Sequence, residues 1–198
     1  MQCTTILPAG YTPWKTIDFQ QDQSLMVALG LASILAFIGF GFLFLFLAFS
    51  LSPFFSKNFR LVVNFQILGI AVLSIVIVSI AVVIVHEAIH GLFFWLFTRK
   101  PPVFGFRWVY AYAAAPEYYI PRNQFLVVGI APLVLISLVG LALFLVTPFA
   151  ATIILVLALT LNASGAVGDL YVVGWLLARP ASVLIRDFGD GMTVYGLP

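Results

Sequence analysis

Long uncharged apolar runs constrain the fold of this chain more than any other feature. The first run, from Leu25 to Leu51, contains 27 residues and no charged side chain. A helix that crosses the hydrocarbon core of a bilayer needs about 20 such residues. Only 8% of the 198 residues are charged, whereas a water-soluble domain carries about 25%. The sequence therefore excludes a water-soluble globule and predicts an all-α polytopic membrane protein that resides in the lipid bilayer.

Four apolar runs are predicted to form transmembrane helices within a single membrane domain, residues 1–198. They occupy residues 25–51, 61–97, 125–146 and 149–178. The second run of 37 residues would make a helix of about 55 Å, which exceeds the thickness of a bilayer, so one end should protrude or bend. The other parts are a polar N-terminal segment (1–24), a loop (98–124) and a polar tail (179–198).

The loop at 98–124 contains one segment with a β-like pattern. From Val103 to Tyr112 the residues alternate roughly and are rich in β-forming types, which favours a short β-hairpin. The alternative is an irregular loop whose aromatic side chains lie at the level of the lipid headgroups.

Basic residues are unevenly distributed between the two sides of the predicted spans. With four spans, the N-terminus, the 98–124 loop and the tail share one side. That side carries Lys15, Arg99, Lys100, Arg107, Arg122, Arg179 and Arg186. The other side carries Lys57 and Arg60, so the positive-inside rule predicts that both termini and the loop are cytoplasmic. The formal net charge of +2 is too small and too scattered to indicate a nucleic acid as a partner.

Both histidines of the chain lie close together in the second run, as His86-Glu87-Ala-Ile-His90. Histidines at i and i+4 share one face of a helix, so both rings can bind one zinc ion. Glu87 points to the side of that face, where it can take a proton from an attacking water instead of binding the metal. Each ionisable group inside an apolar helix costs about 2.5–3.5 kcal/mol on insertion scales, so a metal ion is favoured over a purely structural polar cluster.

A catalytic zinc site usually has three protein ligands and one open position for water. Asp169 and Glu117 are the candidates for the third ligand. Asp169 is the only acid in any other predicted span, and its depth from the cytoplasmic end matches that of His90, so we favour Asp169. Asn162 shares a helix face with Asp169. Its amide could bind the substrate or the developing oxyanion, or it could join two helices by a hydrogen bond.

These segments resemble the intramembrane zinc metalloproteases of the site-2 protease type, and most of all a small prokaryotic branch described as "putative zincin peptidases". The similar segments are His86 to Gly91, the β-like loop, Ala131-Pro132 and Asn162 to Leu170, within roughly residues 61–190. The resemblance implies a zinc site of His86, His90 and Asp169 with Glu87 as the general base. It also implies a protein of the prokaryotic cell membrane that hydrolyses peptide bonds in membrane-protein or peptide substrates.

The predicted function is therefore that of a zinc-dependent intramembrane endopeptidase. The alternative is a metal-binding membrane scaffold or transport component without hydrolysis, because intramembrane His, Glu and Asp side chains also line ion pathways. A transporter more often shows repeated halves, and no internal repeat is visible in this sequence. The oligomeric state is left open.

Overall fold

The computed structural model describes residues 2–19, 21–53, 65–107 and 110–198, and in these parts the protein is mostly helical. The described helices are α1 (Gln23–Leu51), α2 (Phe65–Thr98), α3 (Arg122–Leu143), α4 (Phe149–Gly165) and α5 (Val167–Leu177). The described strands are β1 (Thr12–Asp18), β2 (Val103–Arg107), β3 (Tyr110–Ala114), β4 (Ile120–Pro121), β5 (Leu184–Asp187) and β6 (Gly191–Gly196). Residues 61–64 of the predicted second span, and the basic residues Lys57 and Arg60, lie outside the described residues.

Helix α1 follows the first apolar run and begins directly after a capping residue. The Oδ1 atom of Asp22 accepts the backbone N–H of Leu25 at 3.0 Å and the hydroxyl of Ser24 at 2.7 Å. These bonds, that of Leu25 above all, hold the pKa of Asp22 below its usual value because they favour the carboxylate. A carboxylate at this position also suits the positive end of the helix dipole. The cap therefore sets where the apolar helix begins.

Helices α1, α2 and α3 are long and apolar enough to cross a membrane, and α4 with α5 makes a fourth span if the bent pair counts as one. Their apolar side chains are exposed, as shown by Leu35 at 71% and Ile70 at 65%. Such a surface suits lipid tails better than water. By the length and composition of its helices, the structure is compatible with the membrane protein that the sequence predicts.

The last predicted span, 149–178, is divided into two helices. Between α4 and α5 the chain bends by 43°. Ala166, at the break, has a φ of −74° and a ψ of 3° and donates its N–H to the carbonyl of Asn162. Glycine, which disfavours a regular helix, occurs on both sides of the break at positions 165 and 168. As a result, a new helix starts just before Asp169 and places this acid in its first turn.

A four-stranded antiparallel sheet, in the order β1-β6-β5-β4, shows that the all-α expectation is too narrow. The polar N-terminal segment supplies β1, and the polar tail supplies β5 and β6. The pairing of β1 with β6 runs from Thr12 opposite Gly196 to Asp18 opposite Gly191. These partners are separated by nearly the whole chain, so no local pattern in the sequence indicates their pairing.

Strands β2 and β3 form the antiparallel hairpin that the alternation from Val103 to Tyr112 predicts. Val103 lies opposite Ala114, and Gly105 lies opposite Tyr112. The ring of Tyr112 occupies the space that a Cβ atom at Gly105 would need. A glycine at this position therefore allows the aromatic ring to cross its own hairpin.

The described chain divides into two compact units. The first unit consists of Met1–Gly30, Glu87–Pro132 and Gly168–Pro198. It contains both sheets. Its apolar core joins residues of the four-stranded sheet, such as Ile17 and Ile185, to Phe94 of α2 and Phe125 of α3. Burial of these side chains attaches the sheet to the helical part of this unit.

The second unit consists of Leu31–His86 and Leu133–Val167, and its described regular elements are all helices. A small apolar core is formed by Phe44, Ala48, Phe144, Leu159 and Ala163. At Gly140 a Cβ atom would collide with the side chain of Leu159. This glycine therefore lets α3 and α4 approach closely, as small residues do in membrane helix pairs.

The topology with cytoplasmic termini can be tested at positions that the structure shows to be exposed. In a Cys3→Ser background, Glu117→Cys and Ala181→Cys should react with an impermeant maleimide in right-side-out cells only after permeabilisation. Val146→Cys lies between α3 and α4, is 69% exposed and should react in intact cells. The inverse pattern of labelling would reverse the predicted orientation.

Candidate metal centre

The motif His86-Glu87-Ala-Ile-His90 lies on α2, which is helical from Phe65 to Thr98 without interruption. His86 and His90 are one turn apart on the same helix face, and both are buried. Glu87 is only partly buried. The helix therefore presents two imidazole rings on one face with a carboxylate beside them.

Asn162 of α4 holds the ring of His86. Its side-chain Oδ1 lies 2.9 Å from Nδ1 of His86, and both residues are buried. With the amide oxygen as the acceptor, the ring proton is on Nδ1, and Nε2 carries the lone pair that a metal ion needs. Histidines that bind metals are commonly oriented in this way by a partner of the second ring nitrogen.

The backbone carbonyl of Val128 in α3 holds the ring of His90, with 2.9 Å between Nδ1 and the oxygen. In a regular helix this carbonyl would accept the N–H of the residue four positions later. That residue is Pro132, which lies inside the helix and has no N–H. Proline thus leaves the carbonyl of Val128 without its usual donor, and the ring of His90 takes that place.

Asp169, in the first turn of α5, faces the other nitrogen of His90. The distance from its Oδ2 to Nε2 of His90 is 3.6 Å. Two ligands that each lie about 2.0–2.1 Å from a tetrahedral zinc ion are about 3.4 Å apart. The side chain of Asp169 is 28% exposed.

The three predicted ligands are close enough to share one ion. The ligand atoms of His86, His90 and Asp169 all lie within 4.8 Å of one another. Two neutral imidazoles and a carboxylate are a donor set that zinc accepts, and it leaves a fourth position for water. The residues therefore fit the metal. Glu117, the other candidate, is exposed in the loop after β3 and is not part of this group.

Two features of the site were not part of the prediction. The first is the carbonyl of Val128, which no side chain reveals, although Pro132 four residues later is a signal for it. The second is the packing of Phe104 from β2 on Gly91, where a Cβ atom would collide with the ring. Asn162 was predicted as a polar residue of the site, and the structure shows it bonded to His86. A role of its amide in oxyanion stabilisation stays a prediction.

One known protein family matches the part of the chain that contains this site. The model of the family described as "Putative zincin peptidase" matches residues 79–184, just over half of the chain. The matched range contains both histidines, Glu87, Asn162 and Asp169. No curated protein and no solved structure matches the chain.

The ligand set predicts the metal content of the purified protein. In detergent, wild-type protein should hold about one zinc ion per chain. Asp169→Ala should lose most of that zinc, because two histidines alone leave the site incomplete, whereas Glu117→Ala should keep it. Mass-spectrometric metal analysis measures both variants. Full zinc in Asp169→Ala, or its loss in Glu117→Ala, would contradict the choice of the third ligand.

The hydrogen bond from His86 to Asn162 makes a second prediction. Asn162→Ala should weaken zinc binding about 10- to 100-fold, because the ring of His86 loses the partner that orients it. Thr160→Val is the matched control: Thr160 is also buried in α4, but its hydroxyl donates to the carbonyl of Val156 in its own helix. Competition with a fluorescent zinc chelator gives both affinities. Equal affinity in the two variants would rule out an orienting role for Asn162.

Proposed function

Because this chain belongs to the family described as "Putative zincin peptidase", whose name denotes a metallopeptidase, we propose that it is a zinc-dependent endopeptidase that cleaves membrane-protein substrates. The observation that carries the proposal is the group of His86, His90 and Asp169 on and beside one apolar helix. The proposal includes that the enzyme resembles site-2 proteases and works within the membrane.

His86, His90 and Asp169 would hold the zinc ion, two through imidazole nitrogens and one through a carboxylate oxygen. When bound there, zinc would polarise the scissile carbonyl and make a water molecule more acidic. The partial exposure of Asp169 supports access of water to this position.

Glu87 is proposed as the general base. It adjoins His86 in sequence but is not part of the group of possible ligands, and its side chain is partly accessible. Its carboxylate takes a proton as the water oxygen bonds to the carbonyl carbon of the substrate. The same proton then passes to the amide nitrogen as the carbon–nitrogen bond breaks, so that an acid and an amine leave and Glu87 is an anion again.

Asn162 and Val128 are proposed to act as positioning groups. Each accepts a hydrogen bond from Nδ1 of one histidine, so that Nε2 of each ring is directed to the metal. The ring orientations are therefore set before substrate binds. Such preorganisation matters because small displacements of reacting groups reduce rates strongly.

The substrate would enter in an extended form, because the carbonyls of a helix are already hydrogen-bonded. Strand β2 is an outer strand of its hairpin, and its apolar side chains Val103, Phe104 and Phe106 are all exposed. An extended peptide could add to such a strand through backbone hydrogen bonds. Phe104 also packs on Gly91, directly after His90 on α2, so a peptide on this strand would lie beside α2.

Glu87→Gln separates an enzyme from a metal-binding scaffold. Glutamine keeps the size of the side chain but cannot accept the proton, so zinc content should persist while cleavage falls about 10²- to 10⁴-fold. The matched control is Glu117→Gln, the same change at the other glutamate, which is exposed; it should keep full activity. Cleavage is measured as new peptide termini in the membrane proteome of expressing cells.

The two measurements together distinguish the possible outcomes. Identical termini in cells with wild-type protein and with Glu87→Gln would remove the main support for a protease and favour a scaffold or transport component. Loss of zinc in Glu87→Gln would instead show that Glu87 is a ligand or a folding element. Either result would contradict the role assigned to Glu87.

A further inference from the structure

Strand β5 ends at an acid that faces the interior of the first unit. Alternate residues of a strand point to opposite faces. Ile185 is fully buried in the apolar core and Arg186 is exposed, so Asp187 lies on the same face as Ile185. Its partner across the hairpin, Met192, is also buried in this core. Asp187, which is partly buried, thus lies on the core face of the hairpin, at the edge of the core.

That core contains residues that lie directly beside the metal centre. Phe94 is one turn beyond His90 on α2, and Val172 is one turn beyond Asp169 on α5. Val128, whose carbonyl holds His90, belongs to the same cluster as Ile185 and Met192. The inner face of the β5–β6 hairpin therefore packs on the segments that position the proposed ligands.

The turn that follows Asp187 has a defined structure. Oδ1 of Asp187 accepts the N–H of Gly189 at 2.7 Å, and Phe188 donates its N–H to the carbonyl of Gly191 at 3.0 Å. Gly189 has a φ of +90°, a conformation that glycine adopts readily. These bonds fix the carboxylate of Asp187 relative to its turn.

The β2–β3 hairpin contacts both this turn and helix α2. The ring of Tyr112 occupies the space of a Cβ atom at Gly189, and the hydroxyl of Tyr110 donates to Oδ1 of Asp190 at 2.9 Å. On the other strand of that hairpin, Phe104 packs on Gly91. Within the first unit, the β2–β3 hairpin thus contacts both the β5–β6 hairpin and α2.

The carboxyl group of Asp187 lies within electrostatic range of three ionisable residues at the metal centre, His90, Glu87 and Asp169. Burial raises the pKa of its carboxyl to about 7, opposed chiefly by the hydrogen bond from Gly189. The charges of His90, Glu87 and Asp169 also act on it. Three acids near one another repel in the absence of a cation, and a divalent ion among them turns this repulsion into attraction.

We propose that Asp187 is a further positioning residue of the metal centre, whose negative charge couples the β5–β6 hairpin to the bound metal ion. This inference rests on the proposed function, because it requires zinc at His86, His90 and Asp169. Asp187 strengthens zinc binding without taking a ligand position, and zinc in turn holds the hairpin against the core. By linkage, docking of the hairpin strengthens zinc binding by the same factor by which zinc strengthens docking of the hairpin.

Asp187→Asn tests the coupling, because asparagine can still accept the N–H of Gly189 but carries no charge. Zinc affinity of the full-length variant in detergent should fall about 10-fold, the lower end of the effect of outer partners of metal ligands. Asp18→Asn is the control, an acid of the neighbouring strand β1 that lies opposite Gly191. Asp18→Asn should keep the wild-type zinc affinity. Asp187→Glu keeps the negative charge and should retain most of that affinity.

Hydrogen exchange of residues 184–196 gives a second measurement that does not depend on activity. In wild-type protein, saturating zinc should slow exchange of these amides by about the same 10-fold factor, and Asp187→Asn should remove this effect. If Asp187→Asn does not fold, the absence of a zinc response in the wild-type hairpin still overturns the coupling. Hydrogen exchange of the wild-type hairpin that does not respond to zinc, or unchanged zinc affinity in Asp187→Asn, would overturn the coupling but not the proposed function. A wild-type protein that binds no zinc would overturn the proposed function as well.

Discussion

Polar groups buried in an apolar helix need partners there, because apolar surroundings solvate neither charges nor free ring nitrogens. This constraint organises the structure around His86 and His90. Nδ1 of each ring meets an oxygen atom, from the Asn162 amide or the Val128 carbonyl, and Nε2 of His90 faces Asp169. The ligand atoms of His86, His90 and Asp169 lie within 4.8 Å of one another, which is close enough to share a metal ion.

Interruptions of regular helices supply two of these partners. Pro132 removes a donor from α3 and thereby makes the carbonyl of Val128 available to His90. The break at Ala166 starts a new helix whose first turn contains Asp169, where the helix dipole favours a negative charge. Irregular backbone at these two points thus serves the site, in agreement with the rule that helix breaks in membrane segments occur where other groups satisfy the backbone.

The four-stranded sheet packs on the helices of the first unit next to the proposed metal ligands. Three of its four strands come from the two ends of the chain, and its inner side chains share a core with Phe94 and Val172, next to the proposed ligands. The smaller hairpin adds Phe104 against Gly91. Segments outside the helices therefore contact α2 directly.

The sequence by itself determined the elements whose signals are local. Uncharged runs predict the apolar helices, the pattern after Val103 predicts the hairpin, and the spacing of His86 and His90 places both rings on one helix face. Tertiary structure decided what depends on distant parts of the chain. The pairing of β1 with β6 and the position of Asp187 on the core face have no local signature, because strand partners and buried neighbours are chosen by packing. The sequence favours Asp169 over Glu117 as the third ligand, but the 3.6 Å distance from Asp169 to His90 depends on how the helices are assembled.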